Sequence, residues 1–314
     1  MRVIRGLHNL RPAHRGCVAT IGNFDGVHLG HRAVFQGLLA KGWELGLPAT
    51  VITFEPQAME YFAPCTAPAR LTRLREKLAA IGHCGIEQVM LLEFGPRLAS
   101  MQARDFVREL LVEGLAVRHL LVGDDFRFGR GREGDFGFLQ CTGGEHGFAV
   151  EDLHTITHGE ERVSSTRIRE ALSRGELDLA RHLLGRPYRL CGRVAHGNKR
   201  GRTIGFPTAN INLHRRVSPL RGVYAVMVEG VSGNPRPGVA NIGVRPTVGG
   251  EPRYLLEVHL FDFSDDIYGR HAEVEFCLKL RDEQKFDSFD ALKNQIQRDV
   301  LAARIYLGLP ASAG

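Results

Sequence analysis

The sequence predicts an α/β chain in two parts: an N-terminal parallel sheet with helices on both faces, and a C-terminal antiparallel β-barrel with a terminal helix. Buried strands and amphipathic helices alternate as far as residue 184. From Tyr188, short β-branched runs follow one another across Gly and Pro turns with no helix between them. A length of 314 residues also exceeds one ordinary core.

The apolar run Cys17 to Ile21 predicts a short buried strand, and the pattern turns helical from Leu29 to Gly46. Between them lies Gly22-Asn23-Phe24-Asp25-Gly26-Val27-His28-Leu29-Gly30-His31, at a strand-to-helix turn. Backbone N–H groups at a helix N-terminus point outward, the dipole favours an anion there, and glycines let a phosphate approach the backbone. His28 and His31 share one side of the turn, so both imidazoles can donate to one phosphoryl group. Two plainer readings compete. A His near a helix start can be a cap, and a His-x-x-His pair can bind zinc, although no Cys-x-x-Cys or His-Glu-x-x-His accompanies it.

Ala49 to Phe54 reads as a β-branched strand broken by Glu55-Pro56, Leu71 to Ile81 as a helix, and Gln88 to Leu92 as a buried strand. Ala103 to Val112 continues as a helix and His119 to Val122 as a strand. In such sheets ligands bind outside the strand C-terminal ends, where residues 22–31 and Gly123-Asp124-Asp125 both fall. Gly129 to Gly134 fits G-x-G-x-x-G, but it follows a late strand across a polar stretch, so it is not a dinucleotide fingerprint. Ser165 and Thr166 precede a helix with Ala171 and Leu172 on its apolar face, which a capping cluster explains. Arg167 and Arg169 oppose the dipole in that first turn and fit a bound anion better. Gly185 and Pro187 close the helical region, so the domains are expected at 1–184 and 185–314.

Barrel strands are expected at 188–195, 222–228, 239–242, 254–260 and 272–280, with a long amphipathic helix at 288–307 and a frayed tail from Pro310. Gly197, Gly201 and Gly205 with Lys199, Arg200 and Arg202 make a basic loop that could fold over a polyphosphate; a solvated turn is the plainer reading. Glu257 and His259 lie on one side of their strand. A carboxylate there either has a partner or solvent, or acts as a general base.

Composition, with 43% apolar and 24% charged residues, is that of a soluble globular protein. No run reaches the roughly eighteen apolar residues of a membrane span, and the first residues lack a signal-like apolar segment, so a cytoplasmic location is expected. Six scattered cysteines read as core residues rather than a disulfide framework. Of the net charge of +6, residues 1–184 contribute 22 basic against 22 acidic groups and residues 185–314 contribute 19 against 13. A basic second half suits anionic small ligands such as ATP; no RNA-binding motif or basic run interleaved with aromatics supports nucleic acid, and the oligomeric state is not legible.

The ten-residue string Gly22 to His31 closely resembles the signature of nucleotidylyltransferases in the form carried by bacterial FAD synthetases. Gly123 to Gly129, with Asp125, resembles their second segment, near flavin phosphate and ATP, and Ser165-Thr166-x-x-Arg169 their second phosphate signature. Gly205-Phe206-Pro207-Thr208-Ala209-Asn210 resembles the Pro-Thr-Ala-Asn signature of riboflavin kinases, and Asn241-Ile242-Gly243 their nucleotide-contacting segment. The resemblance covers nearly the whole chain and implies a bifunctional riboflavin kinase and FMN adenylyltransferase, with a Rossmann-like first domain and a kinase-type barrel. It implies Glu257, His28 and His31 as catalytic, and Thr208 and Asn210 as holding Mg²⁺. Gly22, Asn23, Phe24, Asp25, Gly30, Asp125, Ser165, Thr166, Arg169, Gly197, Lys199, Gly205, Pro207, Thr208, Asn210 and Asn241 would contact ATP or flavin. One segment departs from the family: Glu55-Pro56-Gln57-Ala58-Met59 stands where many members have Pro-His-Pro, so no contact is carried over there. The alternatives are another transferase of the superfamily, an enzyme with one decayed site, and a flavin- or RNA-binding module without catalysis.

Overall fold

Strands rich in Val, Ile and Leu with apolar residues on both faces suit a parallel sheet covered on each side. In the computed structural model, which describes residues 1–123, 125–152, 157–158, 161–196, 206–245 and 253–311, such a sheet forms the first unit. Its strands are β1 (Arg2–Arg5), β2 (Cys17–Ile21), β3 (Ala49–Glu55), β4 (Gln88–Glu93), β5 (Val117–Val122) and β6 (Ala149–Asp152). They lie in the order β1-β4-β3-β2-β5-β6, every neighbouring pair parallel. The strand order reverses between β2 and β5, the point at which open α/β sheets bind ligands.

Helices α1 (Leu29–Leu45), α2 (Ala58–Phe62), α3 (Leu74–His83), α4 (Pro96–Ser100), α5 (Ala103–Phe106) and α6 (Phe136–His146) connect the strands. Alternate residues of β2 separate two cores: Cys17, Ala19 and Ile21 pack with Phe106, Leu110 and Leu139, and Val18 packs with Phe35, Leu38 and Ile81. Helices therefore cover both faces, as the fold class requires. The helix expected from Leu71 begins at Leu74, because Thr72 is held by hydrogen bonds to Asp25 rather than by helical ones. The helix expected at 103–112 widens into a π-helical stretch, Val107–Gly114. A short antiparallel pair, β7 (Thr157–His158) and β8 (Glu161–Arg162), completes this unit.

The second unit comprises α7 (Ser165–Arg174), α8 (Leu177–Leu184), β9 (Arg189–Ala195), β10 (Ala209–Asn212), β11 (Gly222–Glu229), β12 (Arg236–Arg245), β13 (Arg253–Leu260), β14 (His271–Arg281) and α9 (Phe289–Tyr306). Its strands close a barrel in the order β10-β13-β12-β11-β14-β9, antiparallel throughout. The strand β10 is not among those expected: it begins within the Gly205–Asn210 signature and runs two residues past it, and Ala-Asn-Ile-Asn carries too little apolar alternation to announce a strand. Helix α9 starts at Ser288, whose Oγ accepts from the Ala291 N–H at 3.1 Å. Its Ala303 packs with Val223, Ala225, Val239 and Phe261 on the outer side of the barrel.

The compact units are Met1–Pro68 with Thr72–Ser164, and Ala69–Leu71 with Ser165–Gly314. The boundary expected at 184/185 falls at the end of α8, where Gly185 takes the left-handed C-terminal position with φ 70. All six cysteines are free thiols.

Candidate active site

In the first unit, β2 ends at Ile21 and α1 begins at Leu29, so residues 22–28 form the turn at the strand-order reversal. The backbone is bent sharply: Phe24, Gly26 and Val27 all have positive φ, of 46, 85 and 44. For the two non-glycine residues that conformation costs energy and persists only where the surroundings impose it. Phe24 and Val27 are buried in the core beside Phe35 and Ile81. Asp25 is also buried, and its Oδ1 accepts from the Thr72 N–H at 2.9 Å and the Thr72 hydroxyl at 3.0 Å. The Asn23 carbonyl accepts from the Thr53 hydroxyl at 3.3 Å, and the Gly22 N–H donates to the Ile52 carbonyl at 3.0 Å.

His28 is the N-cap of α1, its Nδ1 accepting from the His31 N–H at 3.3 Å. The plain reading and the chemical one therefore meet in one ring: Nδ1 caps the helix, so the neutral tautomer carries its proton on Nε2, where it can donate. The rings of His28 and His31 stack at 3.5 Å with 20° between their planes, and Phe24 meets His31 edge-on at 5.2 Å. Burial, joined by the neighbouring His28 imidazole and the Lys77 and Arg162 cations, holds the His31 imidazole well below its ordinary range, so at neutral pH it is uncharged. A Cβ on Gly30 would stand 3.2 Å from the His28 ring and 3.4 Å from the Val163 carbonyl, so glycine is the residue that leaves the ring in place. Asp125 pairs with Arg162 at 2.9 Å.

At the C-terminal ends of β3 and β4 lies a cluster that sequence reading missed: Phe54, Tyr61, Phe62 and Phe94, with ring centroids 5.2 to 5.8 Å apart along its contacts. Phe62 is 63% exposed, which is unusual for a phenylalanine in a cluster and offers a stacking face. The adjacent aromatics Tyr61 and Phe62, shortly after the Glu55-Pro56 break, were the available signal.

In the second unit, Ser165 and Thr166 open α7. Thr166 is exposed, and the Arg169 Nε donates to the Ala69 carbonyl at 2.6 Å. In the barrel, the register sets Asn210 opposite Glu257 on one side and Asn241 opposite it on the other. The three residues thus form one row across β10, β13 and β12, and directly opposed side chains share a face with Cβ atoms about 5 Å apart. Leu256, Val258 and Leu260 are buried, whereas Glu257 and His259 alternate with them and are partly exposed. The His259 Nδ1 donates to the Pro207 carbonyl at 2.9 Å, fixing the residue before the exposed Thr208. Burial lowers the His259 pKa. Gly197, Lys199 and Gly205, with the rest of the expected basic loop, lie outside the described residues.

A family model described as FAD synthetase matches residues 10–167, and one described as riboflavin kinase matches residues 184–307. A protein of Escherichia coli K12 described as a bifunctional riboflavin kinase/FMN adenylyltransferase is 55% identical over 314 residues, covering 100% of both chains. Its counterpart in Haemophilus influenzae is 53% identical over 98% of this chain and 99% of that one. A solved structure described as a macrolide-efflux protein from Streptococcus pneumoniae is similar with a TM-score of 0.79 at 30% identity, covering 95% of this chain and 97% of that one. Among the described residues here, no helix is long and apolar enough to cross a membrane.

Proposed function

The chain belongs to the family of bifunctional riboflavin kinase/FMN adenylyltransferases, and from that premise we propose how its residues divide the work of making FMN from riboflavin and ATP, and then FAD from FMN and a second ATP. The boundary between the activities is set at 184/185, supported by family matches that end at 167 and begin at 184.

Glu257 takes the proton from the ribityl 5′-hydroxyl of riboflavin as it attacks the γ-phosphate of ATP. The observation that carries this is the row Asn210, Glu257, Asn241: one partly exposed carboxylate flanked by a buried amide on one side and a partly exposed amide on the other. Thr208, just before β10, and Asn210, within it, supply neutral oxygens that fit Mg²⁺ accompanied by nucleotide phosphates. Bound there, the ion would neutralise phosphate charge during transfer. Pro207, Asn241 and the loop residues Gly197, Lys199 and Gly205 are assigned to ATP on their motifs.

The second reaction needs no strong base, because the FMN phosphate is already an anion at neutral pH. His28, through the Nε2 left free by its capping Nδ1, and uncharged His31 each offer one N–H to the reacting phosphoryl group, and glycines 22 and 30 with Asn23 and Phe24 shape the turn that receives it. Ser165, Thr166 and Arg169 are assigned to the departing pyrophosphate and Asp125 to the neighbourhood of the flavin phosphate, on the resemblance of their segments. The exposed aromatic cluster around Phe62 provides a stacking surface for a flat ring system such as isoalloxazine. A cytoplasmic location accords with these small-molecule substrates.

The direct test is incubation with riboflavin, ATP and Mg²⁺ followed by chromatography of the flavins. FMN and then FAD are expected, and chelating the metal should abolish FMN formation. Production of neither flavin would refute the reading.

A further inference from the structure

Phe24 and Val27 hold positive φ in a turn that has to present an anion site, so something outside the turn must impose that shape. Thr72 does so with every polar group it has on this side. Its hydroxyl accepts from the Gly26 N–H at 2.9 Å and donates to Asp25 Oδ1 at 3.0 Å, while its own N–H donates to the same oxygen at 2.9 Å. All three bonds are buried, with Thr72 only 6% and Asp25 2% exposed. Thr72 itself stands on firm ground. Two residues later α3 begins, the Arg73 N–H being capped by Glu76 Oε2 at 2.7 Å. Ile81 of α3 is in the same core as Phe24 and Val27.

We propose that Thr72 is a positioning residue for adenylyl transfer, clipping Asp25 and Gly26 so that the turn carries His28 and His31 in the conformation that receives the phosphoryl group. Asp25 then acts through Thr72, and its Oδ1 belongs to the clip rather than to the nucleotide. A threonine is suited to this because one hydroxyl both donates and accepts. Valine has the same shape and can do neither, whereas serine keeps both.

The inference rests on the assignment of adenylyl transfer to residues 22–31, and the test separates the two. Thr72→Val and Thr72→Ser are compared in the full-length enzyme for FMN-to-FAD and riboflavin-to-FMN conversion, and for hydrogen exchange at the Gly26 N–H. A misplacement of the turn costs on the order of 10²-fold in rate. Thr72→Val should therefore lose about that factor in kcat for FAD formation, with a smaller change in the KM for ATP, and should lose protection at Gly26. Thr72→Ser should restore both, FMN formation should persist in each variant, showing the barrel folded, and exchange protection in β2 and β3 should be retained, showing the first unit folded. If Thr72→Val keeps FAD formation and Gly26 protection within threefold of the wild type, the clip does not exist. If protection is lost but the FAD rate is kept, the clip exists without positioning the reaction and the proposal falls. Loss of FMN formation as well would mean general unfolding and would also overturn it. The assignment of the site itself fails separately, if His28→Ala leaves FAD formation intact.

Discussion

The two proposed centres would solve the same problem, handling ATP phosphates, with different parts of the chain. In the first unit the proposed site is mostly backbone: a helix N-terminus, glycines, and a turn with positive φ at Phe24 and Val27, with two imidazoles held in place by the helix they begin. In the barrel it is a row of side chains, Asn210, Glu257 and Asn241, projecting from paired strands whose backbone groups are consumed in the ladder. The reactions account for the difference. Adenylyl transfer starts from an anionic nucleophile and needs donors, whereas phosphorylation of an alcohol needs a proton acceptor. Damage to the first centre should therefore come from changes in shape as well as from lost side chains, and damage to the second from removal of one carboxylate.

The largest expected effect is in the barrel. Glu257→Gln keeps the shape of the row and removes the base, so riboflavin phosphorylation should fall by roughly 10²–10⁴, with FAD formation from supplied FMN unchanged. In the first unit, His28→Ala should lower FAD formation by about 10²–10³. His28 is also the N-cap, so His28→Asn, which retains a capping oxygen, should recover up to about 1 kcal/mol of stability in urea unfolding without recovering the rate. If it recovers the rate too, the ring is a cap and nothing more. A smaller effect is expected from Gly30→Ala, whose Cβ would crowd the His28 ring at 3.2 Å. FAD formation should drop about tenfold through misorientation, and FMN formation should not change.

The smallest effect is on stability. Below pH 6.5, the ordinary imidazole value, the unfolded chain takes up a proton that buried His31 refuses in the folded state. Unfolded protein then binds more protons than folded protein, so stability falls as pH falls and is fully present above that range. The slope from one such group is at most about 1.4 kcal/mol per pH unit, and urea unfolding should show it shallower in His31→Gln. An unchanged slope would place the titration elsewhere.

The contrast between the centres also explains what the sequence disclosed. The alternating strands and helices, the barrel and α9 follow from apolar periodicity, and β2 with its turn was visible because a run apolar but for Thr20 stops at a glycine. By contrast, β1 is four residues with arginine at each end, and β10 has two asparagines among four, so neither carries a strand pattern. The motif residues stand together in short segments, so the sequence alone names them as candidates. Their roles within each segment could not. That Asp25 faces Thr72, that His28 caps with Nδ1, and that Asn241 stands beside Glu257 all depend on pairings across 47, 3 and 16 positions of chain, and only the second of these is local enough to suspect. The aromatic cluster at Phe62 escaped for the same reason, since Phe94 comes from the end of another strand.

The central claim is that two separate centres act in sequence, and crossing the two variants with the two flavins tests it directly. Given ATP and Mg²⁺, His28→Ala supplied with riboflavin should stop at FMN. Glu257→Gln should make almost no FMN from riboflavin yet convert added FMN to FAD at the wild-type rate. If each variant loses both conversions, the chain does not work as two independent centres.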